Sequence, residues 1–318
     1  MDWIDDFIKL YSSKEKGDFT KALELKREHI PNKLYRYRTT GNLEYLKGEI
    51  CDGEIFLSLP SEMNDPFDSH SVLGEKHPAP YIQSKDEYMS RFKGVMDKDT
   101  FDKIFDHDNW FEMMSLFTAE QTGSPNEVNG IKESILYATM KMLEDMNITL
   151  NDTINKSYRF ACFTEKSTNL PMWNHYANGH TGVCLEYDSS AFYYTFIVNR
   201  LFPIKYTDKL PDGALLATHH KINEFAFLDY FLMHKLNDWS YEAEWRLIFN
   251  PGTWFNSLGE VPKDYWHKGK KIKFAVPSQV ILGTKIKESD EEEIRKWCKE
   301  NNIPVQKMKC TEYGLIAE

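Results

Sequence analysis

Apolar and polar residues recur along this chain with two periods, which predicts helices and strands in mixed order. Apolar positions in residues 3–11 follow the three- and four-residue spacing of an amphipathic helix, and residues 19–25 predict a second helix. Lys33–Arg38 alternates strictly instead. That alternation predicts a strand with Arg36 and Arg38 on the same face.

The rest of the chain continues this mixture of elements. Further strands are predicted at Glu54–Leu59, Arg159–Thr164, Gly182–Tyr187, Leu201–Tyr206, Ile272–Val276, Val280–Leu282 and Pro304–Cys310, with one more ending at Phe249. Further helices are predicted at Leu43–Leu46, Tyr88–Val95, Trp110–Phe117, Ile131–Met146, Thr218–Leu236 and Asp290–Glu300, the last capped by Ser289. The order predicts an α+β fold with a mixed, mostly antiparallel β-sheet and flanking helices. We expect N-terminal helices over 1–30 and one domain over 31–318, with a helical insertion at about 71–155.

The segment 159–188 is predicted to form a strand, a short helix and a strand. Asn169 or Ser167 can cap the helix. The helix carries Trp173, His175 and Tyr176 between two apolar strands. Such a helix either packs a core or lines a pocket.

Composition narrows the class of protein. The 318 residues are 41% hydrophobic and 28% charged, and no apolar run reaches the roughly 20 residues that span a bilayer. The acidic, amphipathic N-terminus is unlike a secretory signal. Five scattered cysteines without a CxxC pair are typical of a reduced protein. We therefore expect a cytoplasmic location without a membrane partner.

The formal net charge of −10 disfavours nonspecific binding to a phosphate backbone. Lys263–Lys273 is a basic exception with interleaved aromatic residues. A solvated loop is the favoured interpretation of this run, and nucleic acid is not excluded as a partner.

The sequence Glu242-Ala-Glu-Trp-Arg246 carries a charged triple. On a strand, Glu242, Glu244 and Arg246 would share one face. Burial of unpaired charges is costly, so these side chains are solvated, paired or lining a site. Arg36 and Arg38 are their predicted partners, and a structural ion-pair network remains as open as a functional site.

Two polar segments raise the question of a metal. Asn64-Asp65-Pro-Phe-Asp68 is a turn signature, favoured as structure at a pocket rim, although its carboxylates could bind a cation. His175 and His180 are five residues apart, whereas a helical zinc pair needs four. We expect no metal. The GxSxG, P-loop and GxGxxG motifs are absent from the sequence.

Several ordered motifs resemble a bacterial domain family of unknown function, family 2971. They are LYRYR at 34–38, LSLPSEMNDPFD at 57–68, CFTE at 162–165, MWNHYANGHTGVCLEYD at 172–188 and YEAEWRLIF at 241–249. The resemblance implies no activity. Members resemble accessory genes of bacteria and mobile elements, which implies a defence setting, for example against phage, or a toxin setting.

A second resemblance concerns chemistry. Arg36 on an early strand, Ser58 on the next and Glu242-x-Glu244 on a late one are similar in order to the Arg–Ser–Glu layout of ADP-ribosyltransferases. The resemblance implies that Arg36 holds the phosphates of NAD, that Ser58 supports the nicotinamide pocket and that Glu244 is catalytic. Loss of nicotinamide leaves an oxocarbenium-like centre that a carboxylate stabilises.

The leading hypothesis is an enzyme that cleaves NAD, its nucleotide substrate. It is either an ADP-ribosyltransferase with a macromolecular acceptor or an NAD glycohydrolase. A non-enzymatic ligand-sensing or protein-interaction module is the alternative, and a metal-dependent nuclease using Asp65, Asp68 and Glu186 is the third. The candidate catalytic residues are Glu244, Glu242 and His175. The candidate NAD-binding residues are Arg36, Arg38, Ser58, Asn64, Asp65, Trp173, Tyr176 and Arg246.

Overall fold

The computed structural model describes residues 2–70, 97, 99–100, 110–211, 226–249, 266–267, 271–312 and 314–318. The helix predicted at Tyr88–Val95 lies outside these residues, as do the first half of the helix predicted at Thr218–Leu236 and most of Lys263–Lys273.

Helices and strands are interspersed along the described chain. The helices are α1 (Trp3–Ser12), α2 (Asp18–His29), α3 (Leu43–Asp52), α4 (Trp110–Gln121), α5 (Val128–Ser157), α6 (Leu170–Tyr176), α7 (Ile197–Arg200), α8 (Ala226–Leu232) and α9 (Glu288–Glu300). The strands are β1 (Lys33–Arg38), β2 (Glu54–Phe56), β3 (Arg159–Thr164), β4 (Val183–Asp188), β5 (Leu201–Pro203), β6 (Lys205–Thr207), β7 (His234–Leu236), β8 (Glu244–Phe249), β9 (Trp266–His267), β10 (Lys271–Lys273), β11 (Gln279–Leu282), β12 (Val305–Thr311) and β13 (Gly314–Ala317).

Eight of these strands form one sheet in the order β13-β12-β11-β4-β1-β3-β8-β5. The β11–β12 pair is parallel and the other pairs are antiparallel. Helices cover the sheet, so the predicted α+β class with a mixed, mostly antiparallel sheet is confirmed.

The alternation in β1 sends its side chains to two different cores. Leu34 packs with α3 and α9 on one face of the sheet, whereas Tyr37 packs against α6 on the other. In β8, Trp245 faces the first core, and Arg246 and Ile248 face the opposite side. We call these the α3 face and the α6 face.

Helix α1 contributes its apolar stripe to a third core on the α6 side. Phe7 and Tyr11 are fully buried and pack with Phe160 of β3 and Phe202 of β5. The N-terminal helices therefore share a core with the central strands.

A gap opens in the middle of the sheet. Among the described residues, β1 and β3 pair at a single position, Tyr35 with Thr164. Further along β3, Phe160 pairs with Ser58 instead, through two hydrogen bonds of 2.9 Å. The two strands part between these points, and the segment after β2 fills the far end of the gap.

The long helix predicted over Thr218–Leu236 is confirmed over Ala226–Leu232, and its last residues are wrong. In the described part, the helix ends at Leu232 and His234–Leu236 is a strand. This strand pairs in parallel with β6, and the Met233 carbonyl accepts a bond of 2.8 Å from Lys205 N. Strand pairing has overridden a local helical pattern.

Several predicted boundaries also shift. Strand β2 ends at Phe56 because the chain turns towards β3, and β10 spans Lys271–Lys273 rather than Ile272–Val276. Helix α3 extends to Asp52, α9 begins at Glu288 with Lys287 rather than Ser289 as its N-cap, and β13 was not predicted.

Gly182 allows the loop after α6 to lie directly against β1. A Cβ at this position would overlap the Arg38 carbonyl oxygen and approach the Ala177 backbone at 3.1 Å. We expect Gly182→Ala to lower the free energy of unfolding by about 1–3 kcal/mol, because the obstacle is backbone that cannot rotate away. Urea denaturation measures the change.

Gly130→Ala is the matched control, since a Cβ there meets nothing within 4 Å and Gly130 lies in α5. This variant should be unchanged or more stable by up to about 1 kcal/mol. Equal stabilities of the two variants would contradict the close approach.

Candidate functional site

A cavity of about 140 Å³ lies at the gap between β1 and β3. Because the strands part here, side chains from both faces of the sheet reach it. Its lining residues are Tyr35, Arg36, Tyr37, Arg38, Ser58, Met63, Asn64, Asp68, Phe160, Ala161, Cys162, Phe163, Thr164, Met172, Tyr176, Lys235, Glu242 and Glu244.

On the α6 face, five charged side chains form what we call the glutamate cluster: Asp68, Lys235, Glu242, Glu244 and Arg246. All five are nearly or fully buried. Lys235 Nζ lies 2.6 Å from Glu242 Oε2, 3.5 Å from Glu244 Oε2 and 3.6 Å from Asp68 Oδ2. One ammonium thus joins the carboxylate of Asp68 to those of Glu242 and Glu244, which lie far from Asp68 along the chain.

Arg246 is the second cation of the cluster, and it binds Glu244 and Asp68. Its Nε and Nη2 donate to the two oxygens of Glu244 at 2.8 and 3.0 Å. Its Nη1 and Nη2 donate to the two oxygens of Asp68 at 2.7 and 2.9 Å. Such two-pronged bonds are the strong form of an arginine–carboxylate contact. They fix the loop that carries Asp68 against β8.

Glu242 does not lie on the strand, so the prediction that it shares a strand face with Glu244 and Arg246 is wrong. It ends a 3₁₀ helix, Asn237–Glu242, and Ala243 has a φ of 43° before β8 begins. This turn nevertheless brings the Glu242 side chain back to Lys235. The Glu242 carbonyl accepts a hydrogen bond from Thr164 Oγ1, which fixes the turn to β3.

The two glutamates have different proton affinities. Burial, followed by the nearby charge of Glu244, raises the pKa of Glu242 above its usual range. Burial also acts to raise the pKa of Glu244, but Arg246 and Lys235 outweigh it and lower that pKa to about 2. Two adjacent carboxyls with separated pKa values are an arrangement suited to acid–base chemistry.

Tyr176 connects Glu242 to the rim of the cavity. Its hydroxyl donates to Glu242 Oε1 at 2.6 Å and accepts from Asn64 Nδ2 at 3.3 Å. Burial and the charge of Glu242 raise the pKa of Tyr176, so the phenol stays protonated. Asn64 is exposed and marks the outer end of this chain of bonds.

On the α3 face, Arg36 and Arg38 converge on Glu49. Arg36 Nη1 lies 2.8 Å from Glu49 Oε1, and Arg38 Nε lies 3.1 Å from Glu49 Oε2. Tyr187 donates to the same carboxylate at 2.9 Å. Burial acts to raise the pKa of Glu49, but the two arginines outweigh it and hold that pKa below its usual range. We call these four residues the arginine cluster.

The predicted pairing of Arg36 and Arg38 with the charged triple of residues 242–246 is therefore wrong. The arginines share the face of Leu34, whereas Arg246 projects from the opposite face. The sheet separates the two sets, and each set finds its counter-ions on its own side.

The cavity is consequently bipolar. The glutamate cluster holds three carboxylates against two cations when Glu242 is ionised, which leaves one formal negative charge. The arginine cluster holds two guanidiniums against one carboxylate, which leaves one positive charge. The side chain of Arg38 is 28% exposed, whereas that of Arg36 is 7% exposed.

The structure places seven predicted site residues on the cavity lining: Arg36, Arg38, Ser58, Asn64, Tyr176, Glu242 and Glu244. Four others do not line it. Arg246 lies behind Glu244, and Asp65 is buried in its turn, where it accepts from Phe67 N at 2.9 Å. Trp173 is a core residue whose indole donates to the Ser167 carbonyl at 2.8 Å. His175 is exposed outside, with its ring 6.4 Å from that of Tyr241.

Lys235 and Glu49 were missed by sequence reasoning. Lys235 follows His234 near the end of a predicted helix, and Glu49 lies beyond the end predicted for α3. Neither residue lies in an apolar run, because His234 precedes Lys235 and Gly48 precedes Glu49. The local sequence pattern therefore marked neither as a site residue.

The residues considered for a nuclease are held by other groups. Asp68 binds Arg246, and Glu186 lies 2.7 Å from Lys33 Nζ. Within the part of the chain that the structure describes, no group of three or more His, Cys, Asp or Glu side chains could hold a metal ion.

Comparison with known proteins gives one match. The model of a family described as a protein of unknown function (DUF2971) matches residues 172–247. No curated protein and no solved structure matches the chain. The resemblance to this family is thus confirmed over a segment that contains most of α6, all of β4 and the residues from Lys235 to Arg246. The likeness to ADP-ribosyltransferases stays a hypothesis.

Two general features bear on the setting. All five cysteines are free. The helices of the described residues include none with the length and apolarity required to traverse a bilayer.

The lowered pKa of Glu244 predicts a stability loss in acid. A carboxyl whose pKa falls from 4.5 to about 2 on folding stabilises the protein above pH 4.5 and loses that contribution as pH falls towards 2. The shift corresponds to on the order of 3 kcal/mol. In Glu244→Gln, which lacks this titration, we expect the stability deficit relative to wild type to narrow progressively below pH 4.5 in urea denaturation.

Glu291→Gln is the control. The bond from Lys307 also lowers the pKa of Glu291, but its ion pairs lie near the surface, where solvent screens them, so the deficit of this variant should narrow much less in acid. A deficit in Glu244→Gln that stays constant through the acid range would show that Glu244 is not preferentially ionised by folding.

Proposed function

We propose that this chain cleaves the bond between nicotinamide and ribose in NAD and passes ADP-ribose to water or to a macromolecule. The observation that carries the proposal is the bipolar cavity. NAD has a positive nicotinamide ring and a negative pyrophosphate, so its charges complement a site with carboxylates on one side and guanidiniums on the other.

The cavity's size selects which part of NAD enters. At about 140 Å³ it is smaller than the roughly 300–1,000 Å³ of pockets that enclose a whole small molecule. One ring of the dinucleotide would fill it, and the remainder would lie outside. The partly exposed Arg38 is the guanidinium available to the pyrophosphate, because Arg36 is buried and bound to Glu49 and to the Phe56 carbonyl.

The reaction requires charge stabilisation at the ribose. The glycosidic electron pair moves to the nicotinamide nitrogen, which neutralises the ring and leaves an oxocarbenium-like carbon. A buried negative charge near that carbon stabilises the transition state. The uncompensated charge of the glutamate cluster supplies it.

The two glutamates divide the work. Arg246 and Lys235 bind both carboxylate oxygens of Glu244 and keep it ionised. Its negative charge therefore stabilises the transition state electrostatically, and Glu244 does not exchange a proton. Glu242 lines the cavity and has the higher pKa, so it accepts the proton of the attacking hydroxyl as the new bond to ribose forms. Tyr176 orients its carboxylate through the bond to Oε1.

This activity suits a cytoplasmic protein of a bacterial defence or toxin system. In the cytoplasm NAD is present and the five thiols stay reduced. The alternative, a ligand-sensing module, is favoured by the fact that Asp68 and Glu244 are already paired with Arg246. A sensor would bind NAD through the same bipolar cavity and release no nicotinamide.

Calorimetric titration with NAD, with free nicotinamide assayed in the same samples, tests the proposal. We expect binding and nicotinamide release by the wild-type protein. Glu242→Gln should retain binding and lose at least about a hundredfold in turnover, the lower range for a lost acid–base group. Arg38→Gln should weaken binding more than it slows turnover of bound NAD.

Arg295→Gln is the matched control, since Arg295 is paired with Glu291 at the surface within α9. Binding of NAD without nicotinamide release would favour the sensor. If NAD neither binds nor releases nicotinamide, the assignment of NAD as the ligand is wrong. Turnover by Glu242→Gln at the wild-type rate would remove Glu242 from the mechanism.

A further inference from the structure

Among the described residues, Lys235 is the one lysine in the cavity lining, and carboxylates and an aromatic ring surround its ammonium. It is 3% exposed. Its Nζ is within 3.6 Å of a carboxylate oxygen from each of Asp68, Glu242 and Glu244. The ring of Trp239 lies 4.6 Å away and covers the ammonium as a cation–π partner.

These contacts decide what Lys235 can do. An ammonium has three N–H donors, and three carboxylates surround them. Lys235 donates to Glu242 and Glu244, and Asp68 lies 3.6 Å from the same ammonium, so these carboxylates compete with any ligand for its donors. A nucleophilic role fails, because the surrounding carboxylates outweigh burial and raise its pKa, which keeps the amine protonated.

We propose that Lys235 is a positioning residue that keeps Glu242 ionised and orients its carboxylate in the cavity. The proposal rests on the function proposed above in so far as Glu242 accepts a proton there. Its geometric basis is the 2.6 Å contact, the shortest that the ammonium makes within the cluster.

The groups facing Glu242 come from several elements: Tyr176 from α6, Asn64 from the loop after β2 through Tyr176, Tyr206 from β6, Lys235 from β7, Glu244 from β8 and Tyr241 from the 3₁₀ helix. Lys235 is the only cation in this set. Burial and the charge of Glu244 raise the pKa of Glu242, and Lys235 opposes them.

Removal of the ammonium has a definite consequence. Without Lys235, three buried carboxylates face the single guanidinium of Arg246. Arg246 binds Asp68 and Glu244 directly, so these two keep their counter-ion. Glu242 loses its cation and takes up a proton.

The test is Lys235→Met, with Lys235→Gln as a second variant that keeps a polar group and lacks the charge. We expect nicotinamide release by either variant to be lost near neutral pH and to recover as pH rises. Each unit by which the pKa of Glu242 rises above the assay pH lowers the ionised fraction about tenfold. A residue that only supports the fold would lower the rate equally at every pH.

A second readout does not depend on activity. Carbon-13 NMR of the glutamate carboxyls in ligand-free protein, with Glu242 assigned by its loss in Glu242→Gln, follows its titration directly. We expect an ionised Glu242 in wild type at neutral pH and a midpoint at higher pH in the Lys235 variants.

Lys26→Met is the matched control. Lys26 is also fully buried, but its Nζ donates to the Asn199 carbonyl at 3.0 Å, outside the cavity lining. This variant should leave the Glu242 titration and the pH profile unchanged.

The outcomes separate the two proposals. A wild-type protein that never releases nicotinamide defeats the proposed function, while the NMR titration still tests Lys235. A protonated Glu242 in wild type at neutral pH overturns the role of Lys235 even if no variant folds. An unchanged Glu242 midpoint in a folded Lys235 variant overturns it as well.

Discussion

The buried ion pairing of Arg246 is the constraint on which the site depends. Its guanidinium has no exposed surface and binds Glu244 and Asp68 with two hydrogen bonds each. A buried charge without a partner costs several kcal/mol, so these groups stay together or the region unfolds. The pairing ties the loop after β2 to β8, and through the shared carboxylates it holds Lys235 of β7. The position of Glu242 follows from that framework.

The gap between β1 and β3 turns this framework into a cavity. A fully paired sheet would keep the glutamate and arginine clusters on opposite faces with no route between them. Because β1 and β3 part after Tyr35 and Thr164, one cavity contacts both clusters. Separation of charge across the sheet therefore produces a bipolar site rather than one mixed ion-pair network. The complementarity of such a site to a cationic ring joined to an anionic linker is what supports the proposal of NAD.

Most of the fold was predictable because its signals are local. The alternation of β1, the strand–helix–strand of residues 159–188 and the N-cap of α6 all follow from short-range pattern. The prediction failed where long-range pairing wins: β7 pairs with β6 although its sequence continues a helical pattern. Likewise, Glu242 falls in a 3₁₀ helix because Ala243 adopts positive φ, which an alternating pattern does not reveal.

The sequence indicated most of the charged residues that form the site, but it did not predict which of them would pair with each other. Period-two spacing placed Arg36 with Arg38 and Glu244 with Arg246, since strand geometry fixes which neighbours share a face. The helix against which each strand face packs depends on contacts between segments that are distant in sequence. Glu49 reaches Arg36 from α3, and Lys235 reaches Glu242 from β7. Such counter-ions are chosen by three-dimensional proximity, because a buried charge pairs with whatever opposite charge the fold brings within reach.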